Sequence, residues 1–159
     1  MVAPSRETLL ALQGDTGFAA GQLEAVLRLS DLLDAIGQHP QLEDRLLLTG
    51  GTALNLCFGP PPRLSVDLDF NYVGQIDRAA MERERPDIEA AIEQVARRAG
   101  YQVQRSAREH GGRTFFLRYR SAFGNDASVR VDVNFLHRIP LIAAPQEHYA
   151  RTWVRRSDA

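Results

Sequence analysis

The chain has 159 residues, the size of one ordinary domain. It is 44% hydrophobic and 25% charged with a formal net charge of -1, so it reads as soluble and globular, and no global basic field points to nucleic acid. Its single cysteine, Cys57, excludes an internal disulfide and argues against a structural zinc site.

The 19 basic residues are all arginine. With no lysine, this chain alone performs no step that needs a lysine amine. The first fifteen residues lack the basic segment and long apolar run of a signal peptide. No stretch approaches the roughly 20 apolar residues of a membrane span. A cytoplasmic protein that spans no membrane is the expectation.

Residues 1–20 are mixed, and Gly14, Asp15 and Gly17 mark turns. Between Gln22 and Ile36, Leu23, Val26, Leu27, Leu29, Leu32, Leu33 and Ile36 recur at helical spacing. Gly37 and Pro40 end that helix. Leu46 to Thr49 reads as a short buried strand. Thr49-Gly50-Gly51-Thr52 then leads into a short helix, Ala53 to Phe58, which Gly59 and three prolines stop. Its apolar neighbours predict a buried Cys57 thiol.

From Leu64 to Tyr72, apolar Leu64, Val66, Leu68, Phe70 and Tyr72 alternate with Arg63, Ser65, Asp67, Asp69 and Asn71. That period of two predicts a strand with one apolar and one polar face. Residues 74–85 read as a polar loop with some helix, and Pro86 suits the first turn of the next helix. There Ile88, Ala91, Ile92, Val95, Ala96 and Ala99 form a continuous stripe before Gly100. Tyr101 to Gln104 predicts a strand, and Gly111-Gly112 a turn. Thr114 to Arg120 alternates again, with Phe115, Leu117 and Tyr119 on one face. Gly124-Asn125-Asp126 is a hairpin turn. Ser128 to Leu136 then sets Val129, Val131, Val133 and Phe135 against Ser128, Arg130, Asp132 and Asn134. No repeat, low-complexity block or linker divides the chain. One α/β (α+β) domain follows, a mixed sheet of about five strands with helices packed mainly on one side and a core over about 22–137.

The chemistry-bearing residues sit on the polar strand faces. Asp67 and Asp69 are two apart, so both carboxylates leave the same face. Asp132 is central on the polar face of another strand, and paired strands lie about 4.8 Å apart. If the two strands pair, three carboxylates converge and raise one another's pKa. A divalent cation relieves that repulsion. Mg²⁺ takes hard oxygen ligands and keeps waters that substrate phosphates replace. Two such ions about 3.5–4 Å apart would activate a hydroxyl and steady a leaving pyrophosphate. Gly50-Gly51 offers backbone N–H groups near a helix start, a natural phosphate cradle. An isolated Asp-X-Asp is more often a solvated strand face; the glycines and the third carboxylate are what change that reading.

The combination resembles the nucleotidyltransferases of the DNA polymerase β superfamily, and more narrowly the AbiEii/AbiGii (MenT-like) toxin family. The matching stretches are Gly50-Gly51-Thr52-Ala53-Leu54, Arg63-Leu64-Ser65-Val66-Asp67-Leu68-Asp69-Phe70 and Val131-Asp132-Val133-Asn134-Phe135, within about residues 46–136. The resemblance implies a polymerase-β-like core. It places Gly50, Gly51 and Thr52 against the triphosphate of an NTP, with Ser65 and Arg63 reaching phosphate oxygens. It makes Asp67, Asp69 and Asp132 the Mg²⁺ ligands and catalytic carboxylates, with Asp132 the candidate base. Arg130 and Asn134 would support it or be solvated.

The implied activity is Mg²⁺-dependent transfer of a nucleoside monophosphate to an acceptor hydroxyl by the toxin of a toxin–antitoxin pair, with a tRNA 3′ end as acceptor and a cognate antitoxin as partner. The family pattern also includes a later helical half with a catalytic lysine, which this sequence does not contain. The alternatives are therefore a truncated, inactive module that binds nucleotide or antitoxin, and a small-molecule nucleotidyltransferase. Leu141 to Ala144 and Trp153, left uncovered, would favour a homo-oligomer or a partner supplying the missing half. Arg151, Arg155 and Arg156 would meet phosphate or be solvated.

Overall fold

The computed structural model describes residues 3–57, 63–107 and 109–139, with the backbone alone for 54–57. The expectations for the Cys57 thiol, Gly59 and the prolines after it, Leu141 to Ala144, Trp153 and the terminal arginines lie outside what is described. In chain order the elements are α1 (Arg6–Thr16), α2 (Ala20–Gly37), β1 (Leu46–Thr49), α3 (Gly50–Cys57), β2 (Asp67–Tyr72), α4 (Arg78–Arg98), β3 (Gln102–Arg105), β4 (Gly112–Arg120) and β5 (Asp126–Asn134). The five strands form one sheet in the order β1-β2-β5-β4-β3. β2 and β5 run parallel and the other pairs antiparallel, so the sheet is mixed as the sequence predicts.

Alternation decides which face is buried. Leu68, Phe70 and Tyr72 of β2, Phe115, Leu117 and Tyr119 of β4, and Val129, Val131 and Val133 of β5 join one core. The stripe of α4 (Ile88, Ala91, Ile92, Val95) and Leu29, Leu32 and Ile36 of α2 belong to the same core. The polar residues between them occupy the opposite face, which is where a site can be built. No described helix is long and apolar enough to cross a membrane.

Several boundaries differ from the sequence reading; α3 starts at Gly50 rather than Ala53, and β5 spans Asp126–Asn134 rather than 128–136. Residues 6–16 are helical rather than a set of turns: Ser5 caps the start by accepting from Thr8 N at 3.0 Å, and Gly17, at φ +75°, ends the helix. Leu9 alone is fully buried in this helix, packing with Ala20 and Leu23 in a satellite cluster. α4 begins at Arg78, where Asp77 accepts from Ala80 N at 2.8 Å, so Pro86 lies inside the helix rather than in its first turn. Pro86 faces solvent, where its missing N–H is least costly. β2 starts only at Asp67; Arg63 to Val66 precede it as irregular chain, and Val66 is exposed. Gly112 is the first residue of β4, opposite Asn134, rather than part of a turn.

Candidate active site

β1 delivers the chain to Thr49, and α3 starts at once with Gly50. Gly50 has φ +72°, a conformation glycine reaches without steric cost. A Cβ there would also run into the Asp69 carboxylate. Both constraints require glycine, because the backbone passes against a carboxylate of the neighbouring strand. Thr49 Oγ1 donates to the Asp69 carbonyl at 3.2 Å. Thr52 Oγ1 donates to the Asp67 carbonyl at 2.5 Å and is buried. The two threonines thus fasten the glycine turn to β2.

The parallel β2–β5 register sets Asp69 beside Asp132 and Asp67 beside Arg130. On the other flank, β4 sets Thr114 opposite Asp132, and Thr114 Oγ1 donates to Asp132 Oδ1 at 2.5 Å. Ser65 Oγ donates to Asp67 Oδ1 at 3.0 Å, reaching it from irregular chain rather than from one strand step away. Arg130 spans the group: its Nη2 is 2.9 Å from Asp67 Oδ2 and its Nε 2.8 Å from Asp132 Oδ2. These carboxylates hold the guanidinium pKa above its ordinary value, Asp132 foremost. Burial, then the Asp67 and Asp132 charges, push the Asp69 carboxyl above the usual aspartate range against a smaller opposing effect of Arg130.

A cleft of about 500 Å³ opens on this face. Gly50, Asp69 and Asp132 lie along it, and Ser106, Glu109 and Gly112 close its far side. That far side is held from beneath. Arg85 of α4 is 3% exposed and donates to the carbonyls of Glu109 (3.0 Å), His110 (3.2 Å) and Gly112 (2.8 Å). Its guanidinium also lies 4.4 Å from the Phe135 ring centroid. Glu89 accepts from Arg85 Nε at 2.7 Å and from Arg113 Nε at 3.0 Å.

The structure thus brings Gly50, Asp67, Asp69, Asp132 and Ser65 together. Gly51 sits nearby, where a Cβ would approach Ser65 Oγ to 3.0 Å. Arg63 is exposed at the start of the irregular segment. The sequence reading missed Thr114, the Arg85–Glu89–Arg113 network and the bridging geometry of Arg130. Only the alternation of 114–120 hinted at Thr114, by putting it on the face opposite Phe115.

The donor chemistry can be tested against a divalent cation. Carboxylate oxygens from three aspartates on one sheet face are the hard ligands Mg²⁺ takes. The raised Asp69 pKa marks crowded negative charge that a cation would relieve. As placed, no group of three His, Cys, Asp or Glu among the described residues is gathered closely enough to hold a metal ion. Arg130 already draws Asp67 and Asp132 onto itself. The residues fit the ion in kind, and Arg130 pairs with two of the three carboxylates.

The site thus combines a glycine turn entering a helix, a neighbouring strand with two carboxylates, and a third carboxylate in register on the next strand. A crystal structure from H. pylori, whose assignment as a nucleotidyltransferase is provisional, superposes with a TM-score of 0.54 at 14% identity. The match covers 78% of this chain and 49% of that one, so the chain spans about half the length of the structure it resembles. No curated protein matches. The family model for the nucleotidyl transferase AbiEii toxin of type IV toxin–antitoxin systems matches residues 31–157. The chain belongs to that AbiEii family.

Proposed function

We propose that this domain binds an NTP with Mg²⁺ and transfers its nucleoside monophosphate to an acceptor hydroxyl, releasing pyrophosphate, as the toxin of a toxin–antitoxin pair. Asp67, Asp69 and Asp132 would hold one or two ions. The N–H groups at Gly50 and Gly51 and the side chains of Ser65 and Arg63 would meet the triphosphate. Asp132, oriented by Thr114, would accept the acceptor's proton. A tRNA 3′ end is the acceptor this reading expects, and a cognate antitoxin the partner. The observation that carries the reading is the in-register pairing of Asp69 with Asp132, with the Gly50 backbone lying against Asp69.

A second reading, a module that binds nucleotide or antitoxin without turnover, is favoured by one feature: the sequence contains no lysine, whereas the family pattern includes a catalytic one. Mg²⁺-dependent NTP binding by calorimetry, on this chain and on Asp67→Ala/Asp69→Ala, tests what the two readings share. Binding that disappears in the double variant is expected. Equal binding by both would remove the carboxylates from the site. A labelled-NTP transfer assay on tRNA then separates turnover from binding.

A further inference from the structure

We infer that Arg130 is a displaceable internal counter-ion, which a divalent cation must evict before it can be held by the carboxylates. This rests on the metal-binding reading above and adds a competitor to it. Arg130 is opposite Asp67 in the β2–β5 register and one strand step from Asp132 on the same face, so its guanidinium falls between the two carboxylates. It makes an ion pair with each through a different nitrogen, at 2.9 and 2.8 Å. The oxygens it occupies, Asp67 Oδ2 and Asp132 Oδ2, are ligand atoms that a bound cation would need.

The side chain is suited to leaving. It is 50% exposed and held by these two carboxylates, and among the described residues no backbone carbonyl anchors it. Arg85 is the contrast: a buried guanidinium donating to three carbonyls, beneath the far side of the same cleft. One arginine is buried and anchored on backbone carbonyls; the other is half-exposed and pairs with two side-chain carboxylates.

Without metal, Arg130 offsets the repulsion of the three carboxylates and keeps the sheet face stable. With metal, the evicted guanidinium is a free cation on the same sheet face, and an incoming triphosphate carries the opposite charge. Metal and nucleotide would then bind with positive coupling, because each favours the released position.

The test is Mn²⁺ binding without nucleotide, by electron paramagnetic resonance, on the parent chain, Arg130→Gln and Arg130→Met. Thermal melts in chelator and in Mg²⁺ accompany it. The expected result is Mn²⁺ held about tenfold more tightly by both variants, the scale set by two half-exposed ion pairs. In chelator both variants should melt below the parent chain, and Mg²⁺ should close that gap. Equal or weaker Mn²⁺ binding by folded variants would overturn the inference while leaving the metal site standing. Binding by neither parent nor variants would overturn the metal reading and the inference together. Arg130→Met keeps the bulk of the side chain and guards against a packing defect in the glutamine variant.

Discussion

Gly50 and Gly51 are neighbours in sequence with unequal obligations. Gly50 combines a positive φ with a backbone pressed against the Asp69 carboxylate, so a side chain there is penalised twice. Gly51 has no positive φ, and its added Cβ would meet the Ser65 side chain, Oγ at 3.0 Å and Cβ at 3.4 Å, a milder clash than the one with Asp69 at Gly50. Gly50→Ala should therefore lose about 1–2 kcal/mol from backbone strain alone, before any displacement of Asp69. Gly51→Ala should lose less. Urea denaturation of the two variants measures the difference, and calorimetry with NTP should find the larger loss of binding in Gly50→Ala. Equal stability for the two would mean that the turn relaxes. At this scale the sequence was informative about residue type and silent about geometry. Asp67, Asp69 and Asp132 could be picked out because alternation assigns each to a face. Arg130 could not be ranked above Asn134, because only the strand register puts its guanidinium between two carboxylates. Thr114 had no signal of its own, since its role depends on which residue the partner strand sets opposite it.

Among the elements, α4 does most to shape the cleft without entering it. Its apolar stripe fixes it on the core, and Arg85, paired with Glu89, holds the chain between β3 and β4 through backbone carbonyls. Burial alone would raise the Glu89 pKa, but hydrogen bonds and charge from Arg85 and Arg113 outweigh it and hold the carboxyl below the usual glutamate range. A depressed carboxyl contributes stability that is present above its unfolded pKa and is lost as pH falls through the folded value. The protein should therefore lose stability as pH drops through the ordinary glutamate range and below it. Glu89→Gln should start less stable at neutral pH and show a shallower decline across that window. Thermal melts at stepped pH measure both slopes; parallel curves would show that Glu89 is not the group responsible. The pair was invisible in the sequence because charged residues on a helix normally face solvent. The stripe was legible because apolar spacing is decided within the helix itself. α1 went unread for a related reason: with only Leu9 fully buried, it carries too few apolar residues to show a period, and Gly14-Asp15 imitates a turn.

Across the whole molecule, the sheet separates two jobs by alternation, and β2 shows the division in adjacent residues. Leu68 is fully buried in the main core, while Asp69 next to it faces the cleft among like charges. A carboxyl with a raised folded pKa contributes stability below its unfolded pKa and loses it as pH rises through the folded value, so at neutral pH the ionised Asp69 strains the metal-free fold. Asp69→Asn should accordingly raise the melting temperature in chelator, and the gain should fade as pH falls through the aspartate range. Leu68→Ala should lower stability by about 2–5 kcal/mol at any pH, through lost burial and the cavity left behind. Because the two side chains leave opposite faces, their effects in the double variant should nearly add, although the residues are adjacent. Mg²⁺ should stabilise the parent chain and Leu68→Ala alike, by binding the folded state only, and should do little for Asp69→Asn or for the double variant. Four proteins melted with chelator and with Mg²⁺ provide the whole comparison. An Asp69→Asn variant that is less stable than its parent in chelator would mean that Arg130 already neutralises the face completely, and that the carboxylates are held for structure and not kept in reserve for a cation.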